Sequence, residues 1–170
     1  MLLESFVDVD DAVRLVASKF DYQFDGRSTF EVPDFSPPSN FSLGLIVGPS
    51  GSGKSSLLRK FGETKSIQWN ESKAIISQFE NTDAAFELLS AVGLNSLPSW
   101  VRPYHVLSTG EKFRANLARQ LCSGAVIDEF TSVVDRVVAR STSVAVRRYI
   151  DKNKLHNVVF ATCHYDIVEW

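Results

Sequence analysis

The stretch that decides the fold is Gly48-Pro49-Ser50-Gly51-Ser52-Gly53-Lys54-Ser55, which has the spacing G-x-x-x-x-G-K-S of a phosphate-binding loop. The apolar residues 43–47 precede it, and Leu57-Leu58 follows it. Small residues let successive backbone N–H groups converge on phosphate oxygens, while the lysine reaches two phosphates and the serine hydroxyl can bind Mg²⁺. The sequence therefore predicts a strand, a nucleotide-binding loop that extends to Ser56, and a helix, in that order.

Composition limits the class of protein. The chain has 170 residues, 44% of them hydrophobic and 22% charged, which is enough for a sizeable core. A net charge of -2 gives no overall attraction to nucleic acid or to acidic membranes. The first eleven residues carry four acids and no base, and no segment has 18 uninterrupted apolar residues. These features predict one cytoplasmic domain without membrane insertion, with Cys122 and Cys163 as reduced thiols.

Apolar segments alternate with helical patterns along most of the chain. This order predicts an α/β fold with a mostly parallel sheet. Phe20, Tyr22 and Phe24 alternate with polar residues, which predicts a strand in an N-terminal antiparallel region. After the first strand at 43–47, strands are predicted at 74–77, 125–127 and 158–162, and helices at 54–62, 83–92, 108–121 and 135–152.

Two consecutive acids, Asp128 and Glu129, follow the predicted strand at 125–127. Open α/β sheets bind their ligands at the carboxyl ends of the strands. One acid can hold Mg²⁺ while its neighbour faces a water. An exposed acidic strand end is the alternative interpretation, which the phosphate-binding loop on the same sheet disfavours.

The segment Ser108-Thr109-Gly110-Glu111 has two compatible interpretations. As structure, it is a capping box with Ser108 as N-cap and Glu111 at the third helical position. Together with Leu107, it also resembles the signature motif of ABC ATPases. In that family the motif binds the γ-phosphate held by the other subunit, so the resemblance implies that Ser108 and Gly110 act in trans.

The order of further residues strengthens this resemblance. Gln78 is similar to the Q-loop glutamine that touches Mg²⁺ and the attacking water, and Asp135 in the segment 132–135 is similar to the D-loop aspartate that acts in trans. His164 resembles the switch histidine that contacts the γ-phosphate. Taken alone, Gln78 fits an ordinary surface residue and His164 a strand-end histidine; the order of the motifs is what is specific. The family also stacks an aromatic side chain on adenine, a role open to Tyr22 or Phe24, although aromatic residues on a strand are usually core.

The chain departs from the family pattern in three respects. Thr109 and Glu111 replace two residues of L-S-G-G-Q, and the acidic ending resembles soluble DNA-repair and chromosome ATPases more than transporter subunits. Only 30 positions separate Gln78 from Ser108, which leaves room for about one or two helices. The sequence ends shortly after His164, where family members continue with further strands, so a pared-down form or a piece of a longer protein is expected.

Two further features concern partners. The segments 102–111 and 163–166 resemble a branch of ABC-type ATPases fused to a predicted GNAT-type acetyltransferase, including phage-encoded forms. This resemblance implies a fused or separate acetyltransferase partner. Arg136, Arg140 and Arg147 share one face of the helix 135–152, which is either a solvated face or a contact for nucleic-acid phosphates or an acidic partner.

The resemblance as a whole implies a P-loop NTPase of ABC ATPase type that binds Mg-ATP and hydrolyses it as a head-to-tail homodimer. A single domain, 1–170, would comprise an N-terminal β region (1–42), the loop and core (43–78), a short helical insertion (79–107) and the part from signature helix to switch histidine (108–170). Lys54 would bind phosphates, Ser55, Gln78 and Asp128 would hold Mg²⁺, and Glu129 would polarise water.

Two alternatives remain open at this point. The first is an ATP-gated dimerising module for DNA or protein, with little turnover. The second is a small-molecule or nucleotide kinase, because residues 48–51 also resemble guanylate kinase loops. The adjacent acids at 128 and 129 suit water activation and count against the kinase.

Overall fold

The computed structural model describes residues 2–170, which form two compact units, one ending at Ser36 and one spanning Pro37–Trp170. In the first unit, strand β1 (Leu2–Phe6) pairs antiparallel with β2 (Arg27–Glu31), with Phe6 opposite Arg27. Helix α1 (Asp11–Lys19) lies between them in the chain and begins at Asp10, whose side chain accepts a hydrogen bond from the Val13 N–H. The predicted N-terminal antiparallel region is confirmed.

The strand predicted at residues 20–24 is wrong. Phe20 ends helix α1, and the Tyr22 N–H donates to the Ala17 carbonyl at 2.9 Å. Asp21 has a left-handed φ of 50°, which stops the helix and turns the chain. The Tyr22 and Phe24 rings therefore stack on each other, with centroids 6.1 Å apart, within a turn. Alternating aromatic residues in a short segment do not distinguish a strand from a turn.

The second unit contains the predicted alternation of strands and helices. Its elements are β3 (Leu43–Val47), α2 (Lys54–Leu58), α3 (Thr82–Ala91), α4 (Leu97–Trp100), α5 (Thr109–Gln120), β4 (Val126–Ile127), α6 (Arg136–Lys152) and β5 (Val158–Thr162), with 3₁₀ turns at Ile75–Gln78, Tyr104–Val106 and Tyr165–Glu169. None of the helices among residues 2–170 is long and apolar enough to cross a membrane.

The sheet of this unit is parallel and has the order β3-β5-β4. Val47 lies opposite Thr162, and Ile127 lies opposite Phe160. Strand β5 comes last in the chain but lies in the centre, and all five of its residues are buried. Because the strands are parallel and in register, the segments that follow them all leave the sheet at its carboxyl edge.

The core packs helices against this sheet. Phe130 stacks on Phe160 with ring centroids 4.3 Å apart and the rings 8° from parallel. The buried apolar side chains of α3, α5 and α6, including Leu89, Leu117 and Ile150, join the same cluster. Burial of these apolar stripes holds the helices against the sheet.

Two other predicted elements need correction. The segment 74–77 is no strand: Ile75 starts a 3₁₀ turn, and its N–H donates to the Arg102 carbonyl at 2.9 Å. Ile75 is fully buried, so its apolar neighbourhood reflects packing and not sheet pairing. Helix α2 ends at Leu58, earlier than predicted, and turn hydrogen bonds carry the chain to Gly62, whose φ is +144°.

Candidate active site at the carboxyl edge of the sheet

The phosphate-binding loop leaves β3 in a conformation that requires its glycines. Gly51 and Gly53 have φ values of +76° and +80°, in the left-handed region where a Cβ is costly. A Cβ on Gly48 would lie 2.7 Å from the Ser52 Oγ. The Gly48 N–H donates to the carbonyl of Thr162 at 3.3 Å, which ties the start of the loop to β5. The loop is therefore a tight turn anchored on the central strand.

Lys54 and the start of α2 complete the loop. The Lys54 ammonium donates to the Pro49 carbonyl at 2.7 Å, across the turn. Gly53 is the N-cap of α2 and offers no side-chain hydrogen bond to the helix. The first N–H groups of a helix need partners from outside the helix. The loop thus presents backbone donors and one cation next to Ser55 and Ser56.

The acid pair follows β4 in a sharp turn. The Asp128 carboxylate accepts the Glu129 N–H at 2.8 Å, and the Phe130 N–H donates to the Ala161 carbonyl at 2.8 Å. Glu129 has a left-handed φ of 51° and its side chain is exposed. The turn therefore holds the Asp128 carboxylate in place and directs Glu129 to solvent beside the sheet edge.

His164 follows β5 and lies against the same turn. Its ring Nδ1 is 3.3 Å from the Thr131 Oγ1, and its backbone N–H donates to the Thr162 Oγ1 at 3.1 Å. Both threonines are fully buried. The structure thus joins His164 to the turn that carries Glu129. Sequence reasoning missed Thr131 and Thr162, although a polar residue at the end of an apolar strand was a usable signal for Thr162.

The oxygen ligands at this edge fit Mg²⁺. Mg²⁺ usually takes one or two protein carboxylates and completes its shell with waters and substrate phosphates. Asp128 follows β4 and Ser55 lies in the first turn of α2, so both belong to segments that leave the sheet at this edge. Within residues 2–170 there is no group of three or more histidine, cysteine or acidic residues that could hold a metal alone. These oxygen donors suit an ion whose remaining ligands come from the phosphates of a nucleotide and from water.

Gln78 is engaged elsewhere. Its Oε1 accepts the Asn70 N–H at 2.7 Å, and its Nε2 donates to the carbonyls of Asn70 and Lys73 at 3.1 and 3.0 Å. A longer contact of 3.4 Å reaches the Ala74 carbonyl. The amide closes the turn 70–74, and its hydrogen bonds within the described chain do not reach the phosphate-binding loop.

The start of α5 forms a second cluster. Ser108 caps the helix in a complete capping box, as predicted: its hydroxyl accepts from the Glu111 N–H, and the Glu111 carboxylate accepts from the Ser108 N–H at 2.9 Å. The same carboxylate accepts hydrogen bonds from the Ser108 hydroxyl at 2.8 Å and from the Ser99 hydroxyl at 2.5 Å. The Ser99 hydroxyl, followed by the Ser108 groups, holds the pKa of Glu111 below its ordinary value.

Arg114 and the start of α6 border this cluster. Arg114 donates from Nε to the Gly110 carbonyl at 3.1 Å and from a terminal nitrogen to the Gly93 carbonyl at 2.9 Å. Burial lowers the pKa of Arg114, while Glu111 and Asp135 oppose that shift. Asp135 caps α6 by accepting the N–H groups of the second and third helical residues. Sequence reasoning missed Arg114 because its role depends on a carbonyl 21 residues away.

The remaining predicted residues are Tyr22 and the arginines of α6. Tyr22 belongs to the first unit and is exposed, so its contact with adenine stays a prediction. On α6, Arg136 is paired with Asp166, and Arg147 with Asp151 at 2.9 Å. Arg136 lowers the pKa of Asp166 through this hydrogen bond. Two of the three arginines of the basic face are therefore engaged within the chain.

No protein-family model matches the chain, and no curated protein matches its sequence. Solved structures do match: the dimeric bacterial ABC transporter cassette MJ0796 aligns with a TM-score of 0.56 and 16% identity over 75% of this chain and 77% of that one. The chain has the ABC ATPase fold. A dimeric post-hydrolysis state of the cassette MJ0796, bound to ADP and Pi, aligns at a TM-score of 0.57 and 13% identity over 98% of this chain and 90% of that one. The ABC ATPase fold predicted from the order of the motifs is thus confirmed.

Proposed function

We propose that the chain binds Mg-ATP and hydrolyses it as a head-to-tail homodimer. One observation carries the proposal: the phosphate-binding loop, the acid pair and His164 follow three parallel, adjacent strands and leave the sheet at one edge. The buried Thr131 joins two of these segments through His164. A nucleotide held by the loop would therefore lie next to an acid that can activate water and a ring nitrogen that can contact phosphate.

Nucleotide binding would use the loop amides and Lys54. The ammonium has to leave the Pro49 carbonyl in order to reach the β- and γ-phosphates, which exchanges a neutral acceptor for a charged one. Ser55 and Asp128 would hold Mg²⁺, which supplies charge neutralisation on the β- and γ-phosphate oxygens when bound. Gln78 would join them only after releasing the turn 70–74.

Hydrolysis would use Glu129 and His164. The left-handed backbone of Glu129 turns an exposed carboxylate out of the sheet edge, where it can orient a water and accept its proton. The contact of the His164 Nδ1 with Thr131 leaves Nε2 as the ring atom available to the γ-phosphate. Both groups act from segments whose backbone is anchored to β5, so the backbone that carries them is in place before the nucleotide binds.

The residues proposed to act in trans form one patch. A Cβ built on Gly110 would lie 3.4 Å from Val134, the neighbour of Asp135. Arg114 contacts the Gly110 carbonyl and interacts electrostatically with Asp135. Ser108, Gly110 and Asp135 are therefore close enough to meet one nucleotide of a second subunit. This compact patch supports the head-to-tail arrangement.

The substitution Glu129→Gln tests the proposal. The amide cannot accept a proton from water, so ATP hydrolysis should fall at least roughly 100-fold while ATP binding persists. The variant should accumulate as an ATP-bound dimer in sedimentation velocity, with phosphate release measured on the same sample. Glu63→Gln, at an exposed position of the connection after α2, is the matched control and should keep the parental rate. Hydrolysis by Glu129→Gln at the parental rate would refute the role of Glu129.

One observation favours a second candidate, an ATP-gated dimerising module with little turnover. The Gln78 amide, predicted to touch Mg²⁺ and water, is held by three hydrogen bonds of 2.7 to 3.1 Å in the turn 70–74. Dimers that form with ATP while phosphate release by the parental chain stays negligible would select this candidate. ATP consumption without an added acceptor would exclude a kinase.

The partner proposals rest on sequence. The segments 102–111 and 163–166 support an acetyltransferase partner, fused or separate. A pull-down from the source cell with the full chain and with Glu129→Gln, in the presence of ATP, would look for an acetyltransferase. Recovery that depends on ATP would support such a partner.

A further inference from the structure

Two buried hydroxyl groups contact the same histidine at the carboxyl edge of the sheet. We propose that Thr131 and Thr162 are positioning residues that hold His164 from two sides and so set the orientation of its ring toward the γ-phosphate. The inference rests on the proposed function, because it concerns how His164 acts on the nucleotide. It assigns a role to two side chains that are themselves fully buried.

The buried hydroxyl groups differ in the partners that they bind. Among residues 2–170, the buried polar residues are Ser99, Thr131, Thr142, Ser143 and Thr162. The two on α6 donate to backbone carbonyls, and Ser99 donates to the Glu111 carboxylate. Of these five, only Thr131 and Thr162 share a partner, and that partner is His164. A hydroxyl in an apolar core destabilises the fold unless it is hydrogen-bonded, so this shared partner indicates a common role.

Thr162 holds the backbone of His164. Its Oγ1 accepts the backbone N–H of His164 at 3.1 Å, and its own carbonyl accepts the Gly48 N–H at 3.3 Å. Thr162 is the last residue of β5, the central strand of the sheet. One residue thus ties both the start of the phosphate-binding loop and the histidine to the same strand. The backbone of His164 is therefore fixed relative to the loop.

Thr131 holds the ring of His164. Its Oγ1 lies 3.3 Å from the ring Nδ1. A hydroxyl can donate or accept, so the contact holds for either direction of the hydrogen bond. The backbone contact with Thr162 alone would leave the ring free to turn about its side-chain bonds. The contact with Thr131 is therefore the one that orients the ring, and it leaves Nε2 for the phosphate.

The backbone of Thr131 supports a functional role for this contact. Its φ is 64°, in the left-handed region that β-branched residues rarely adopt. Such a conformation persists only where the surrounding structure fixes it, and it clusters at functional sites. The preceding residue fixes it here, since the Phe130 N–H donates to the Ala161 carbonyl at 2.8 Å and the ring stacks on Phe160. The turn therefore presents the Thr131 hydroxyl to His164 from a rigid support.

Substitutions to valine test the role, because valine keeps the branched shape of threonine and lacks the hydroxyl. Thr131→Val and Thr162→Val should each lower kcat for phosphate release at least roughly tenfold, since a misplaced group loses much of its effect on the reaction. Thr131→Ser and Thr162→Ser keep the hydroxyl and should stay within about threefold of the parental kcat. The matched control is Thr142→Val, which removes an equally buried hydroxyl on α6 and should leave kcat unchanged.

The dissociation constant for ATP and the urea midpoint are measured on the same variants. Both should change little, because the loop 48–55 and the core are kept. A kcat of Thr131→Val within about twofold of the parental value overturns the role of Thr131, and the same result for Thr162→Val overturns that of Thr162. Serine variants that lose as much activity as the valine variants also overturn the proposal, since packing would then explain the loss.

A double substitution tests whether Thr131 acts through the histidine. In the His164→Ala background, Thr131→Val should lower single-turnover phosphate release by less than about threefold, because the ring that it orients is gone. An equal loss with and without His164 overturns the proposal, since Thr131 would then act independently of the ring.

A spectroscopic measurement separates this inference from the proposed function, because it needs no ATP hydrolysis. The chain has three histidines, so His164→Ala identifies the imidazole ¹⁵N signals of His164. Thr131→Val should shift these signals in the nucleotide-free chain, and Thr142→Val should not. If the parental chain hydrolyses ATP while neither the signals nor kcat respond to Thr131→Val, only the positioning role is wrong. If the parental chain hydrolyses no ATP, the proposed function is wrong and the role toward the phosphate is wrong with it, while the signals still report the contact.

Discussion

Two helix starts in the second unit differ in what satisfies their first N–H groups. Helix α2 begins after Gly53, which provides no side-chain hydrogen bond. Helix α5 begins after Ser108, whose hydroxyl accepts the Glu111 N–H while the Glu111 carboxylate accepts the Ser108 N–H. The first N–H groups of any helix attract negative charge. At α2 these groups stay available for a ligand, whereas at α5 the chain supplies the negative charge itself.

The difference agrees with the separate roles proposed for the two helix starts, one that binds the chain's own nucleotide and one that faces the nucleotide of a second subunit. The phosphate-binding loop uses glycines with positive φ, so that backbone donors can approach a ligand closely. The start of α5 is instead fastened by Ser99 and Arg114 to the insertion 79–107. The helix start at α2 leaves backbone donors for phosphate, whereas the start of α5 already holds a carboxylate of the chain. Three predictions, at Lys54, Ser108 and Glu111, test this comparison.

The largest effect is expected at the open helix start. Lys54→Ala removes the only side-chain cation of the loop 48–56, so ATP affinity should fall at least roughly 100-fold, as for loss of a charged phosphate contact. Titration with a fluorescent ATP analogue measures the affinity. Lys19→Ala, at the end of α1, serves as a control that should bind as the parental chain does. Unchanged affinity in Lys54→Ala would show that the loop does not bind the nucleotide phosphates.

A smaller effect is expected at the filled helix start. Ser108→Ala removes the N-cap of α5 and should lower the free energy of unfolding by about 1 kcal/mol, measured by urea denaturation. Ser108→Gly should cost only a few tenths of a kcal/mol, because glycine is tolerated at the N-cap. If both variants unfold at the parental urea concentration, the capping box contributes nothing to stability.

The smallest effect is expected on the stability of the fold at acid pH. The hydrogen bonds of Glu111 lower its pKa in the folded state below the ordinary value of 4.5. A depressed pKa gives stability that is complete above 4.5 and is lost as the pH falls through the folded value. Glu111→Gln should therefore show a shallower loss of stability than the parental chain below pH 4.5. Chemical denaturation at several acid pH values measures this slope, and identical slopes would contradict the assignment.

Local sequence was sufficient where chemistry and spacing are short-range. The loop 48–55, the capping box at Ser108 and the strand at 158–162 follow from neighbouring residues and were predicted correctly. The predictions at 20–24 and 74–77 were wrong, since apolar or aromatic alternation in a few residues does not say whether a partner strand exists. In the first case the N-cap Asp10 was the overlooked signal of a helix.

The sequence by itself determined the strand, loop and helix around residues 43–58 and the chemistry at the ends of the strands, because a phosphate-binding loop and an acid pair need only particular residues at fixed spacing. Tertiary structure decided which of these groups meet. The central position of β5 brings His164 to Thr131, and burial of α4 brings Ser99 to Glu111. These contacts join residues far apart in the chain, and only packing of the core sets such distances.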